Sequence, residues 1–202
     1  MDSEVHVSLT VLGQNPEQSE ALFREADEAI TATLGDAIYG HNLYSMAAVV
    51  GEQLRRHSLQ LSVAESCTGG LVASKITEVA GSSQWFVGGV IAYSNDLKER
   101  LLGVDHNLLA EHGAVSAPVA RAMASGIRVC TGATVSVAVT GIAGPSGGTP
   151  EKPVGTVYFG LCVDGEVTDH SRTFSGSRRE IQEITAQTAL DLVRRALLQT
   201  LM

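Results

Sequence analysis

Aromatic residues supply only 4% of this 202-residue chain, whereas apolar residues of all kinds supply 44%. A core of useful size is therefore expected, built from aliphatic side chains, in one to two domains. No apolar run reaches the roughly 18–20 residues that a membrane-spanning helix needs. The first residues, MDSEVHVS, lack the basic-then-apolar plan of a signal peptide, so a cytoplasmic protein without a membrane partner is expected. There are only three cysteines, Cys67, Cys130 and Cys162, and no two of them have CxxC spacing. The odd count argues against a disulfide framework and fits a reducing compartment. The six histidines are scattered, with no HxxxH, no HExxH and no Cys/His group at zinc spacing. No metal and no cofactor is expected.

Positive charge is scarce as well, and the deficit is uneven. The net charge is −8. Residues 1–40 hold eight acids against one base, Arg24, and the remaining residues are close to neutral. Neither part carries the basic footprint that duplex nucleic acid requires, so no direct nucleic-acid partner is expected. The charge step near residue 40 marks a candidate domain boundary. The predicted division is 1–40 and 41–202.

What is present alternates in period. Val5, Val7, Leu9 and Val11 read as a half-buried strand. Asn15 and Pro16 then start a helix to about Leu34, with Leu22, Ala26, Ala29, Ile30 and Thr33 on one face and Gly35 at its end. One strand and one helix are too little for an independent unit, so 1–40 is read as a small α+β segment leaning on the rest. Leu43, Met46, Ala47, Val50 and Leu54 predict a second helix. Strands are predicted at 59–64, 84–93 and 134–140, and a hairpin at 154–163 and 166–174 turning at Asp164-Gly165. Helices are predicted after Ser66 through Ile76, at about 95–102, 105–111 and 117–129, and behind a Ser177 cap to about Thr200. This order predicts a three-layer α/β/α fold with a mixed sheet, plus the small N-terminal segment.

Three segments hold reactive or anion-binding residue types at the ends of apolar runs: AESCTGG at 64–70, YSNDLK at 93–98 and TGIAGPSGG at 140–148. Ser66 falls at a strand-to-helix turn, where free backbone N–H groups can hold an anion or an oxyanion. The alternative is that Ser66 or Thr68 merely caps the helix. Cys67 is a rival nucleophile, although a cysteine in an apolar turn is more often inert. A desolvated Lys98 can act as base for a serine, with Tyr93 as relay, or it can be a solvated surface lysine. The four glycines of 140–148 can form an anion nest or an ordinary connection. The segment is neither GxxxxGK[ST] nor GxGxxG. Arg178 and Arg179, opening the last helix, can pair with phosphate or stay exposed.

In combination and order, these segments resemble the CinA C-terminal domain family, whose stand-alone members are nicotinamide-nucleotide amidases (PncC). The resemblance runs from about Leu54 to Leu198 and includes AESCTGGLVASKITEVAGSSQWFVGGVIAYSNDLKERLLGV, EHGAVSAPVA, VAVTGIAGPSGG, EKPVGTVYFGL and FSGSR. Residues 1–50, with LGDAIYG before a helix, resemble the KH-like linker of full-length CinA proteins. The molybdopterin-binding-like domain of those proteins is not represented in these 202 residues, and the ADP-ribose hydrolysis assigned to it is not carried over. The resemblance implies hydrolysis of nicotinamide mononucleotide to nicotinate mononucleotide and ammonia, without metal. It implies Ser66 as nucleophile with Tyr93 and Lys98 completing the catalytic group, either one being the immediate base. Cys67, Thr68, Gly69, Asn95, Thr140, Gly141, Gly144, Gly147 and Arg178 are the implied substrate-binding positions. The expected partner is a small nucleotide, in a homodimer or higher homo-oligomer. The alternatives are a non-enzymatic partner-binding module linked to competence or DNA damage, and an amidase for another pyridine or nucleotide amide.

Overall fold

A computed structural model describes residues 4–41 and 45–200. Its centre is a five-stranded sheet in the order β2-β1-β3-β4-β5. The strands are β1 (Leu61–Glu65), β2 (Phe86–Ile91), β3 (Val135–Gly141), β4 (Thr156–Val163) and β5 (Glu166–Thr173). β1 runs parallel to both β2 and β3, whereas β4 is antiparallel to β3 and to β5. The mixed three-layer architecture expected from the sequence is therefore present. The hairpin turns at Asp164 and Gly165, both at positive φ (48° and 91°), as a two-residue turn between right-twisted strands requires.

Helices cover both faces. On one lie α2 (Met46–Arg56), α3 (Leu71–Thr77) and α7 (Arg178–Thr200); on the other lie α4 (Asn95–Leu102), α5 (His106–His112) and α6 (Ala117–Thr131). The period-two alternation of β1 and β3 divides the core between them. Leu61, Val63, Val135, Val137 and Val139 pack with Leu54, Ile76, Leu190 and Val193. Ala64 and Ala138 pack with Met123, Ala124 and Ile127 of α6. The residues facing α6 are small because that helix lies close: a Cβ on Gly160 of β4 would collide with the Ala120 carbonyl. Leu43, predicted in the second helix, lies outside the described residues.

The N-terminal segment departs from expectation. α1 (Pro16–Leu34) forms, capped by Asn15 accepting from Gln18 N and ended by Gly35 at φ +49°. The predicted strand over Val5–Val11 does not: these residues join no sheet, and Val5 is 84% exposed. Alternation provides a strand's pattern, but a strand also needs a neighbour for its backbone groups, and none is beside it. α1 likewise fully buries none of its residues: on its predicted apolar face Ala26 and Ile30 are half-buried, and Leu22, Ala29 and Thr33 are exposed. The segment is tied down at its ends. Glu4 Oε1 accepts from Met46 N at the start of α2 (2.9 Å) and from Gln187 Nε2 of α7 (2.6 Å). The Asp36 carbonyl accepts from the buried Arg194 at 3.0 Å. No helix among the described residues is long and apolar enough to cross a membrane.

Candidate functional site

β1 is followed in sequence by β2 on one side and then by β3 on the other. That reversal is a topological switch point, and the region beyond the carboxyl ends of the parallel strands at such a point is where α/β sheets bind ligands. All three chemical segments meet there. Ala92 N, just past β2, donates to the Glu65 carbonyl at 2.8 Å, and Ser66 N donates to the Val139 carbonyl of β3 at 3.0 Å. The turn after β1 is thus pinned between its two neighbours.

Ser66 and Lys98, far apart in sequence, lie in direct contact. Lys98 Nζ donates to Ser66 Oγ at 3.2 Å, to the Ala92 carbonyl at 2.8 Å and to the Tyr93 carbonyl at 3.3 Å. The lysine is 1% exposed and forms no ion pair among the described residues. Ser94 caps α4 by accepting from Leu97 N, which starts the helix early enough to turn its fourth residue inward over the strand ends. Burial holds the Lys98 ammonium below the ordinary lysine value, with the neighbouring Cys67 sulfur pulling the other way. No counter-ion among the described residues offsets this burial; in the neutral form the two carbonyls still accept from the amine, and the Ser66 contact runs from the hydroxyl to the nitrogen lone pair.

The turn itself differs from the expectation of a helix directly after Ser66. α3 begins only at Leu71, behind Gly70 in the left-handed region, and neither Ser66 nor Thr68 caps it. The amides of Gly70, Val72 and Ala73 instead donate to the carboxylate of Glu65 at 2.9, 3.1 and 2.8 Å. The helix end that the sequence offered as an anion site is filled from within. Gly69 N is bonded to the Ser66 carbonyl at 3.1 Å. The amides of Cys67 and Thr68 have no acceptor among the described residues beyond the Cys67 sulfur itself. Those two are free to hold an oxyanion beside Ser66. The Thr68 hydroxyl is buried and unpartnered. Burial pushes the Cys67 thiol up to about 12, which leaves it protonated and a poor rival nucleophile.

The remaining candidates sort into several groups. Tyr93 is 57% exposed, and its hydroxyl accepts from Arg178 Nη2 at 2.8 Å. No hydrogen bond among the described residues joins that hydroxyl to Ser66 or Lys98. Arg178 also donates through Nη1 to the Gly144 carbonyl at 2.8 Å, so it bridges the Tyr93 segment and the glycine loop. Thr140 spends its hydroxyl on the Ala114 carbonyl at 2.8 Å. Gly141 lies so close to Cys67 that a Cβ would stand 3.1 Å from its sulfur. Gly147 and its neighbours are exposed, with amides that have no acceptor among the described residues. Asn95 is exposed at the start of α4 and makes no side-chain bond there.

Sequence reasoning missed three residues at this site. They are Glu65, Gln182, whose Nε2 donates to the Cys67 carbonyl at 2.8 Å, and Lys152, which donates to the His112 and Val115 carbonyls at 3.1 and 2.7 Å. Gln182 stands one helical turn after Arg178 on α7, a spacing that was available as a signal. Glu65 and Lys152 bond only to backbone, which no residue pattern announces.

Comparison with known proteins shows the family and the fold. Residues 43–197 match the family model of the CinA C-terminal domain, and residues 1–40 match that of the damage-inducible protein CinA KH domain. CinA-like proteins of Desulfotalea psychrophila and Geobacter sulfurreducens are 48% and 46% identical over 97% and 96% of this chain. The chain spans about half the length of these curated relatives (48% and 47%). Among solved structures, the competence/damage inducible protein CihA of Agrobacterium tumefaciens superposes with a TM-score of 0.72 at 43% identity. The match covers 75% of this chain and 93% of that one. A competence-damaged protein (CinA) superfamily protein of Klebsiella pneumoniae superposes with a TM-score of 0.74 at 30% identity, over 76% and 96% of the two chains.

Proposed function

The chain belongs to the CinA family, and from that premise we propose that it is an amidohydrolase converting nicotinamide mononucleotide to nicotinate mononucleotide and ammonia. The observation that carries this reading is the buried, counter-ion-free Lys98 amine 3.2 Å from Ser66 Oγ. In its neutral form Lys98 takes the Ser66 proton as Oγ attacks the carboxamide carbon. The amides of Cys67 and Thr68 receive the developing oxyanion. Lys98 returns the proton to the amide nitrogen, the C–N bond breaks, and ammonia leaves an acyl-serine. Lys98 then takes a proton from an attacking water, and Ser66 recovers its own as the carboxylate product departs. Acid–base help of this kind is worth roughly 10²–10⁴ in rate.

The geometry favours Lys98 over Tyr93 as the immediate base. Tyr93 instead orients Arg178. The phosphate of the nucleotide is assigned to Arg178 and to the unbonded amides of the glycine loop around Gly144 and Gly147, which together offer a cation and a row of N–H donors. The test is ammonia release by purified protein from nicotinamide mononucleotide, compared by kcat/KM with other pyridine and nucleotide amides. Release from none of them overturns the reading and leaves a partner-binding module. A preference for another amide keeps the chemistry and replaces the substrate.

A further inference from the structure

Glu65 is the last residue of β1 and is 1% exposed, yet it forms no ion pair among the described residues. A buried carboxylate without a cation is costly unless donors surround it. Here the donors are three backbone amides: Gly70 and Val72 on Oε2, and Ala73 on Oε1. The carboxylate also sits at the positive end of α3, which has no side-chain cap of its own. The main chain of Glu65 is fixed independently, its carbonyl accepting from Ala92 N at 2.8 Å. The loop that leaves Glu65 at Ser66 and returns at Gly70 is therefore closed on a single residue. Within this closed loop lie Ser66 and the amides of Cys67 and Thr68, which bond to no other residue among the described residues. From the other side, Gln182 holds the Cys67 carbonyl.

We propose that Glu65 is a positioning residue for the nucleophile: its carboxylate closes the 65–73 loop and thereby sets Ser66 Oγ against Lys98 and turns the Cys67 and Thr68 amides toward the reacting carbonyl. It touches no substrate. It also keeps the α3 amides from competing for the substrate's phosphate, which must then bind at the glycine loop. The proposal rests on Ser66 being the nucleophile, not on the identity of the amide hydrolysed.

Glu65→Gln is the informative variant, because it keeps the shape but points an NH₂ donor at one of the amides now bonded to oxygen. Hydrogen exchange of the Gly70, Val72 and Ala73 amides, which donate to the carboxylate, should rise more than about tenfold, with β3 and α7 unchanged. Labelling of Ser66 by a sulfonyl fluoride, followed by intact mass, should slow about tenfold to a hundredfold, as should kcat, the scale expected when a reacting group is misplaced by about an ångström. KM and the apparent pKa of the activity profile should stay put. Glu65→Asp, which keeps the charge on a shorter arm, should fall between the two and serves if the glutamine variant does not fold. Unchanged exchange, or raised exchange with undiminished labelling and kcat, overturns the proposal. So does a shifted pKa, which would make Glu65 an electrostatic partner of Lys98. A wild-type protein labelled at Ser66 but inactive on nicotinamide mononucleotide sinks only the substrate assignment. One that is neither labelled nor active sinks both.

Discussion

Ser66 and Cys67 are neighbours in the same buried turn, and their surroundings divide their roles. Ser66→Ala should abolish ammonia release while shifting the thermal midpoint little; near-normal kcat in that variant would remove the serine from the mechanism. Cys67→Ala should remain active, because a thiol pushed up to about 12 supplies almost no thiolate near neutrality. The same thiol predicts a stability effect. Its folded value lies above the roughly 8.5 of an unfolded cysteine, so the folded state holds the proton longer. The resulting stability is fully present below about pH 8.5 and is lost as pH rises toward 12. Denaturant midpoints measured from pH 7 to 11 should fall less steeply for Cys67→Ala than for wild type. Lys98 has the opposite shift, since burial lowers it. Its deprotonated form should be required for kcat/KM, with an apparent pKa below the reference of about 10.4. Lys98→Arg should lose at least about a hundredfold in kcat, because arginine cannot give up a proton at these pH values. A folded, active arginine variant would leave position 98 a purely electrostatic role.

Among the elements, the strand ends and the glycine loop decide where groups converge. β1, β2 and β3 were legible as apolar runs, and the range predicted for α4, about 95–102, is the one observed, between a Ser94 cap and Gly103 in the left-handed region. α3 was not: Gly69 and Gly70 delay it, and its cap is a carboxylate from the preceding strand rather than a side chain in the usual position. The glycine loop depends on Arg178 at the opening of α7, which holds the Gly144 carbonyl and the Tyr93 hydroxyl together. Nicotinamide riboside, lacking the phosphate, should be a much poorer substrate than the mononucleotide. Arg178→Ala should narrow that gap by raising KM for the mononucleotide alone. Equal losses on both substrates, read from parallel kcat and KM measurements, would assign Arg178 to holding the loop rather than to binding phosphate.

At the level of the whole molecule, the N-terminal segment touches the α/β layers mainly through Glu4, Asp36 and Tyr39, and none of the candidate site residues lies in it. Removing residues 1–40 should lower the thermal midpoint, since it strips Glu4 from the start of α2 and the Asp36 carbonyl from Arg194, while kcat stays within about twofold. Loss of kcat with unchanged assembly would contradict this separation. A homodimer remains our proposal for the assembled state, on the general prevalence of twofold assemblies. Light scattering on the full and truncated chains tests it, together with any contribution of the exposed part of α1, where Leu22 and Phe23 are 41% and 47% exposed.

The sequence by itself determined the layer architecture, because period-two and period-3.6 apolar patterns are local and each names the face that must be buried. It also singled out Ser66, Lys98, Arg178 and the glycine loop through the order of their motifs. Tertiary structure decided what those residues do to one another. It placed Lys98 on Ser66, moved the Tyr93 hydroxyl to Arg178, and spent the Thr140 hydroxyl on Ala114. It also left the Val5–Val11 pattern without a strand, because a ladder requires a partner that alternation alone does not supply. Glu65 marks the limit most clearly: its hydrogen bonds go to backbone amides, whose availability depends on where a helix starts in space and not on any side chain nearby in the chain.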